Sequence, residues 1–169
     1  MPPLARHLLA LVLLGTLSAC SHYRMGTSAT LAFETVFVAP VANASFAPQA
    51  GPLVTDRVRT ALARDGRLTL AASPADAGAN LQIRLVRFDR DVLAAHRDDT
   101  ALARKFGATL TAEITLTDRS GKVLLDHRVV KATRDVFVDS GLQPTEYQTM
   151  PILADALATE IAHAVLDTW

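Results

Sequence analysis

Thr109-Leu110-Thr111-Ala112-Glu113-Ile114-Thr115-Leu116-Thr117 alternates apolar and polar residues without a break. Side chains on a β-strand point to opposite faces with a period of two, so Leu110, Ala112, Ile114 and Leu116 share one face. The threonines and Glu113 share the other. One face suits a core and the other suits water, the pattern of a sheet covered on one side only. Asp118-Arg119-Ser120-Gly121 follows, with Asp first and Gly last as a type I turn prefers. The chain returns over Lys122 to Thr133, with Val123, Leu125 and Val129 expected to point inward. A two-residue loop at Ser120-Gly121 sets Glu113 opposite Arg128, and a four-residue loop sets it opposite Asp126. Opposite charges across strands stabilise and like charges destabilise, so the tighter loop is expected.

Upstream, Leu81, Ile83 and Leu85 alternate with Asn80, Gln82 and Arg84, which predicts a second strand. Phe88 breaks that alternation and implies a bulge or an exposed edge. Arg90 to Lys105 mixes charges with scattered leucines and is expected to be a mobile excursion or a short helix. Thr35 to Ala39 reads as a first strand ended by Pro40, and Leu68 to Leu70 as a short one. Ser73 to Gly78 is a connection. A helix opens at Gly51-Pro52, since proline is tolerated in the first turn. Leu53, Val54, Val58, Ala61 and Leu62 form its apolar stripe, and Asp65-Gly66 stops it. Asp139 to Thr149 reads as irregular. In the last helix Met150, Leu153, Leu157, Ile161, Ala164 and Val165 share a stripe, and Trp169 closes it. The expected fold is an α/β (α+β) two-layer sandwich, two amphipathic helices on one face of a mixed four- to five-stranded sheet.

The amino end reads differently. Arg6 and His7 precede an apolar run, Leu8 to Leu17, that is too short to span a bilayer, which needs about 20 apolar residues. Leu17-Ser18-Ala19-Cys20 closes it and resembles the lipobox of bacterial lipoproteins. That resemblance implies that residues 1–19 are removed and that Cys20 carries a covalent diacylglycerol and a fatty acyl chain. No other cofactor is expected. Residues 20–34 are then a lipidated tether and 35–169 one domain; an ordinary secreted protein with a free cysteine is the alternative. Ser21 follows the cysteine, where Asp would signal retention at the inner membrane, so the expected address is the periplasmic face of the outer membrane.

Charge and composition exclude several classes. Arg6 is the one basic residue in positions 1–19 and no acid lies there, which leaves 16 basic against 17 acidic residues, a net charge of −1. Nucleic-acid binding rests on a basic surface and is not expected. One Trp and two Tyr offer little for stacking on bases or sugars. His22, His96, His127 and His163 lack metal-ligand spacing, and Asp98 and Asp99 beside His96 read as a charged loop. Ser120 lacks the Gly-x-Ser-x-Gly elbow of hydrolases. No metal site and no enzymatic activity are expected.

Taken together, the chain resembles the LptE family of lipopolysaccharide-assembly lipoproteins. The likeness is carried by Cys20 with Tyr23-Arg24-Met25-Gly26 behind it, and by Val36-Phe37-Val38-Ala39-Pro40-Val41-Ala42-Asn43. Ala63-Arg64-Asp65-Gly66-Arg67-Leu68, Ala75-Asp76-Ala77, the threonine-rich hairpin and Leu157-Ala158-Thr159-Glu160-Ile161 continue it in order. Members commonly have Cys-Gly-Tyr where this chain has Cys20-Ser21-His22-Tyr23. The resemblance implies a partner, the LptD β-barrel, which such proteins help to fold and plug, and a ligand, lipopolysaccharide. Anionic lipid phosphates favour Arg and Lys, and the candidates are Arg84, Arg87, Arg119, Lys122, Arg128 and Lys131. An activator or scaffold of another envelope machine, such as a peptidoglycan synthase, is the alternative.

Overall fold

A computed structural model describes residues 31–95, 103–137 and 146–167. Cys20, most of the tether, His96 with Asp98 and Asp99, residues 139–145 and Trp169 lie outside them. The elements run β1 (Thr35–Val38), β2 (Ala42–Asn43), α1 (Ala50–Asp65), β3 (Thr69–Leu70), β4 (Ala79–Ala95), β5 (Ala103–Asp118), β6 (Val123–Phe137) and α2 (Glu146–Leu166). The sheet order is β3-β1-β4-β5-β6, and β2 also pairs with β4. Parallel pairs join β1 to β3 and β4, and β2 to β4; β4, β5 and β6 are antiparallel. β1 and β2 follow one another along the same edge of β4, because Pro40 between them has no N–H to give the ladder. The sheet is mixed as expected, with one short strand more.

Leu110, Ala112, Ile114 and Leu116 are wholly buried beneath the helices, opposite Phe88, Leu85, Ile83 and Leu81 of β4. Val54, Val58 and Leu62 recur every four residues on α1 and are equally buried. Gly66, at φ 79°, ends that helix in the left-handed conformation that glycine adopts without strain. On α2, Leu153, Leu157, Ile161 and Val165 are buried, and so are Ala154, Ala156, Ala158 and Ala162. These alanines widen the apolar stripe until one helix touches both the sheet and α1. Thr149–Leu166 is long and apolar enough to cross a membrane, with 61% of the stretch buried inside the fold. That burial is the state of a core helix.

Four expectations need correction. Val123 and Val129 are 49% and 55% exposed, and the inward positions of β6 are Leu125, Val130, Ala132 and Val136. An irregularity around His127, whose φ is 43°, puts an odd step between Leu125 and Val130 and so turns Val129 outward, and a second register shift, between Leu116 and Thr117, sets Val123 opposite Thr117 on the outer face. The hairpin loop has neither two nor four residues. Asp118 N–H donates to the Lys122 carbonyl at 2.9 Å and Gly121 N–H to the Asp118 carbonyl at 3.0 Å, which leaves Arg119 to Gly121 as a three-residue loop. Gly121 sits at φ 87°, the left-handed residue that such a loop requires after its type I turn. That loop and the two register shifts of β6 together set Glu113 opposite Val129, and on its other side Glu113 faces Arg84 of β4. Arg90 to Ala95 and Ala103 to Lys105 are strand, not helix or excursion, and form the arm that prolongs β4 and β5. Finally, α2 starts at Glu146, so Pro151 lies inside it.

Both helices end at the same pole of the domain, where Arg67 clasps them. Its Nε lies 2.6 Å from Asp65 Oδ1, its Nη2 is 3.1 Å from Asp167 Oδ1, and its Nη1 donates to the Leu166 carbonyl at 3.3 Å. His163 Nδ1 lies 2.8 Å from Asp167 Oδ2. The hydrogen bond from Arg67 holds the Asp65 carboxyl below its ordinary range, and those from His163 and then Arg67 do the same for Asp167. A carboxylate with a depressed native pKa stabilises the fold above its unfolded value and loses that contribution as pH falls through the native one. The expected result is that Arg67→Ala melts below the wild type at neutral pH and that the gap closes well below pH 3.8. Thermal melts of both proteins across that range check it; a gap independent of pH would assign the effect to packing of the arginine stem.

Candidate functional site

The face of the sheet turned away from the helices is the one extended polar surface that the alternation of β5 builds. Lys105, Thr109, Thr111, Glu113, Thr115 and Thr117 line it along β5. Strand register supplies the neighbours. Arg87, Thr111 and Lys131 form one row across β4, β5 and β6, and Arg84, Glu113 and Val129 form the adjacent row. Strands lie about 4.8 Å apart, so the two cations of the first row stand about 10 Å apart across Thr111. Thr111 is only 7% exposed on this solvated face, the burial expected beneath two long flanking side chains.

Pairing within the face is uneven. Lys105 Nζ and Asp135 Oδ2 are 2.7 Å apart, which neutralises the arm end. Thr109 and Thr133 share a hydroxyl hydrogen bond of 2.9 Å. Arg87 keeps 72% of its side chain exposed and has only a loose contact, 3.9 Å, with Asp89. Among the described residues Lys131 has no carboxylate within 4.0 Å. The middle of the face thus holds three cations, Arg84, Arg87 and Lys131, against Glu113 and Asp89.

Beside Arg84 a shallow groove of about 340 Å³ is lined by Pro40, Gln82, Glu113, Thr115 and His127 among others. His127 Nδ1 lies 4.0 Å from Glu113 Oε2, and its Nε2 is 3.7 Å from Asp126 Oδ1. Its left-handed backbone is uncommon for a residue with a Cβ, although histidine tolerates it better than most. The Thr115 hydroxyl, the Gln82 amide, the Arg84 guanidinium and the Glu113 carboxylate converge here, a mixed polar set suited to a polyhydroxylic ligand, with Arg84 the one arginine or lysine able to give an anion a charge-assisted hydrogen bond. Among the described residues no group of three His, Cys, Asp or Glu could hold a metal ion.

The six sequence candidates do not form one cluster. Arg84, Arg87 and Lys131 share the outer face. Arg119 and Lys122 sit at the hairpin turn, which lies seven residues along β5 from Thr111, about 24 Å away. Arg119 is a brace, its Nη2 donating to the Ala75 carbonyl at 3.0 Å. The turn is further fixed by Asp118 Oδ1, which accepts from Ser120 Oγ at 2.6 Å and from the Lys122 N–H at 2.9 Å. Those bonds, the first from Ser120, hold the Asp118 carboxyl below its ordinary range. Arg128 faces Ile114 in register and lies on the helix side, near Glu160 and His163 of α2. Sequence reasoning passed over Thr111 and His127, whose setting depends on bulges that leave no mark in composition.

A family model described as LptE, lipopolysaccharide-assembly, matches residues 33–167. No curated protein sequence matches the chain. Among solved structures, a lipoprotein B from Nitrosomonas europaea superposes with a TM-score of 0.56 at 14% identity, covering 85% of this chain and 87% of its own. A protein from Xanthomonas campestris gives a TM-score of 0.52 at 15% identity, with 83% and 87% covered. At such identities these two likenesses speak for the fold alone.

Proposed function

This chain belongs to the LptE lipopolysaccharide-assembly family, and from that premise we propose that it is a lipid-anchored outer-membrane protein on the periplasmic side. In this reading it helps an LptD-like β-barrel to assemble, plugs its lumen, and binds lipopolysaccharide on the way to the outer leaflet. Its part is binding and assembly, not catalysis. The observation that carries the reading is the polar sheet face. A barrel of this class has a polar interior, and a plug needs a surface of hydroxyls and charges that satisfies it. The outer row of threonines with Arg84, Arg87 and Lys131 is such a surface, while the apolar face is spent on the helices.

Co-purification in mild detergent tests the reading. The full lipoprotein is expected to bring down a large β-barrel protein; capture of a peptidoglycan synthase instead would move it to the scaffold class. Anchoring has its own test. One acyl chain binds a membrane only marginally and two or more hold it stably, at roughly 0.8 kcal/mol per buried methylene. Metabolic labelling with a fatty-acid analogue is expected to mark the wild type and leave Cys20→Ser unmarked. Equal labelling of both would remove Cys20 as the attachment point.

A further inference from the structure

The connection from β2 to α1 carries a second feature. Phe46 is 97% exposed there, against 49% to 67% for Val92, Leu93, Val123, Val129 and Ile152. Those five lie on strands or on α2 and rest part of their surface on the fold, whereas Phe46 rests on almost nothing. Single apolar residues are ordinary on a surface. What sets this one apart is the backbone beneath it. Ala44 N–H donates to the Leu85 carbonyl of β4 at 2.9 Å. Asn43 Oδ1 accepts from the Ser45 N–H at 3.0 Å and from Ser45 Oγ at 2.7 Å, and Asn43 Nδ2 donates to the Ala47 carbonyl at 2.8 Å. Ala47 itself is buried in the core. With the chain tied down before and after it, Phe46 is held off the core and its position is set in advance, which lowers the ordering cost of a contact.

The composition around the ring selects what can meet it. Residues 35–55 contain no charged residue and no histidine, in a chain that is 20% charged. Ala42, Ala44 and Pro48 beside the ring are exposed and small or apolar. Register places Arg84 opposite Ala42, and that side chain lines the outer groove. A charge-depleted patch with an aromatic at its centre has the make-up of the desolvated core of a protein–protein contact. A bilayer fits less well, since fluid lipid gains nothing from a fixed ring position and the loop offers anionic head groups no cation. Nor does a second copy present a receptor. The large grooves of this chain are walled by charged side chains. The largely apolar crevice among Phe88, Phe106, Val136, Met150 and Leu153 has room for about 10 Å³, one water and not a phenyl ring.

We propose that Phe46 is the aromatic anchor of the contact with the barrel partner and enters an apolar pocket on that protein. The proposal rests on the barrel reading given above and adds to it the residue and chemistry of one contact. A polar sheet face exchanges hydrogen bonds with water for hydrogen bonds with the wall, at small net gain. It fixes the register, and a buried aromatic supplies the hold.

The test uses the full lipoprotein in cells that make its barrel. A photoreactive residue is placed in turn at Ala44 and Pro48, on either side of the ring, and at Thr115 on the outer sheet face. Adducts with the barrel are expected from the first two, mapping to a peptide rich in Leu, Ile, Val, Phe or Met. Competition then weighs the ring itself. Wild type and a variant, each with its own tag, are made together in equal amounts, and the barrel is captured through either tag. Phe46→Ala is expected to hold at least about tenfold less barrel than wild type, and Phe46→Leu less than about threefold less. Asn43→Ala, which keeps the ring and loosens the turn, is expected to fall between them. Because Phe46 is almost wholly exposed, Phe46→Ala is expected to melt with the wild type, which separates contact from folding. Equal capture by Phe46→Ala and wild type overturns the anchor, as do adducts from Ala44 and Pro48 with lipid or a second copy and not with the barrel. A barrel adduct from Thr115 alone also overturns it and leaves the barrel reading standing. Failure of the wild type to capture a barrel removes that reading and this proposal with it.

Discussion

Ile114→Asp is expected to cost the domain about 3–5 kcal/mol, the scale of leaving a buried charge without a partner. Ile114 is wholly buried at the centre of the sheet, facing Ile83 on β4, with the helix layer closing over it. The nearest cation is Arg128, its cross-strand neighbour on β6, which is exposed at the rim with Glu160 and His163 and would have to give up its solvation to reach a carboxylate at position 114. Domains of this size are typically stable by about 5–15 kcal/mol, so the variant would keep little margin. Thr115→Asp makes the contrast. One residue on, its side chain faces the outer groove, partly exposed beside Gln82 and His127. A carboxylate there stays hydrated, and repulsion from Glu113 is screened, so the loss is expected to stay below about 1 kcal/mol. Denaturant unfolding of both variants on a Cys20→Ser background measures the difference. Comparable losses would mean that the two faces of β5 have been interchanged.

That contrast works because β5 is where sequence and structure agree best. A central strand with helices on one side and solvent on the other has every inward position constrained, so its burial is written as alternation. The helix stripes were legible for the same reason, and Asp65-Gly66 marked a stop through a conformation that glycine alone takes cheaply. Where neither face is covered the signal fails. Arg90 to Ala95 pair with β5 as a strand, yet Val92 and Leu93 are both largely exposed and no period of two survives. On β6 the alternation was present but misread. The left-handed turn of the backbone at His127 exchanges the faces halfway along, and a single residue of slip moves every side chain to the other side. The start of α2 was hidden by Pro151, which removes one helical hydrogen bond yet sits close enough to the amino end for the helix to absorb it.

The candidate site was less legible than the fold. A cation is welcome on any solvated surface, so Arg and Lys carry no facing signal of their own. Their place is inherited from the register, and here the register contains the irregularities that sequence does not display. The β4 bulge between Leu85 and Arg87 keeps Arg84 and Arg87 on the same outer face although they are three residues apart. The β6 irregularity sends Arg128 to the helix side and Lys131 to the outer one. Counting basic residues along the hairpin thus joined groups that the fold separates.

The separation makes the lipopolysaccharide hypothesis sharper and testable. Arg84, Arg87 and Lys131 face one another's solvent within two rows of the sheet, whereas Arg119 and Lys122 stand about 24 Å off at the turn and Arg128 lies behind. Phosphate groups on the ligand would be held by charge-assisted hydrogen bonds, worth about 1.5–3 kcal/mol each, and 1.4 kcal/mol is a factor of ten in affinity. Replacing Arg84, Arg87 and Lys131 together by Glu is therefore expected to weaken lipopolysaccharide binding at least about tenfold. The matched change of Arg119, Lys122 and Arg128 is expected to weaken it less than about threefold, because Arg119 and Lys122 act from beyond the roughly 10 Å over which salt screens at 0.1 M and Arg128 lies on the other face of the sheet. Wild-type binding should fall as salt rises, and the outer-face variant should have lost most of that dependence. Circular dichroism and melting curves establish that both triples remain folded. Equal losses from the two triples would spread the site over the whole domain, undiminished binding by the outer-face variant would take the sheet out of it, and failure of the wild type to bind would count against lipid handling itself.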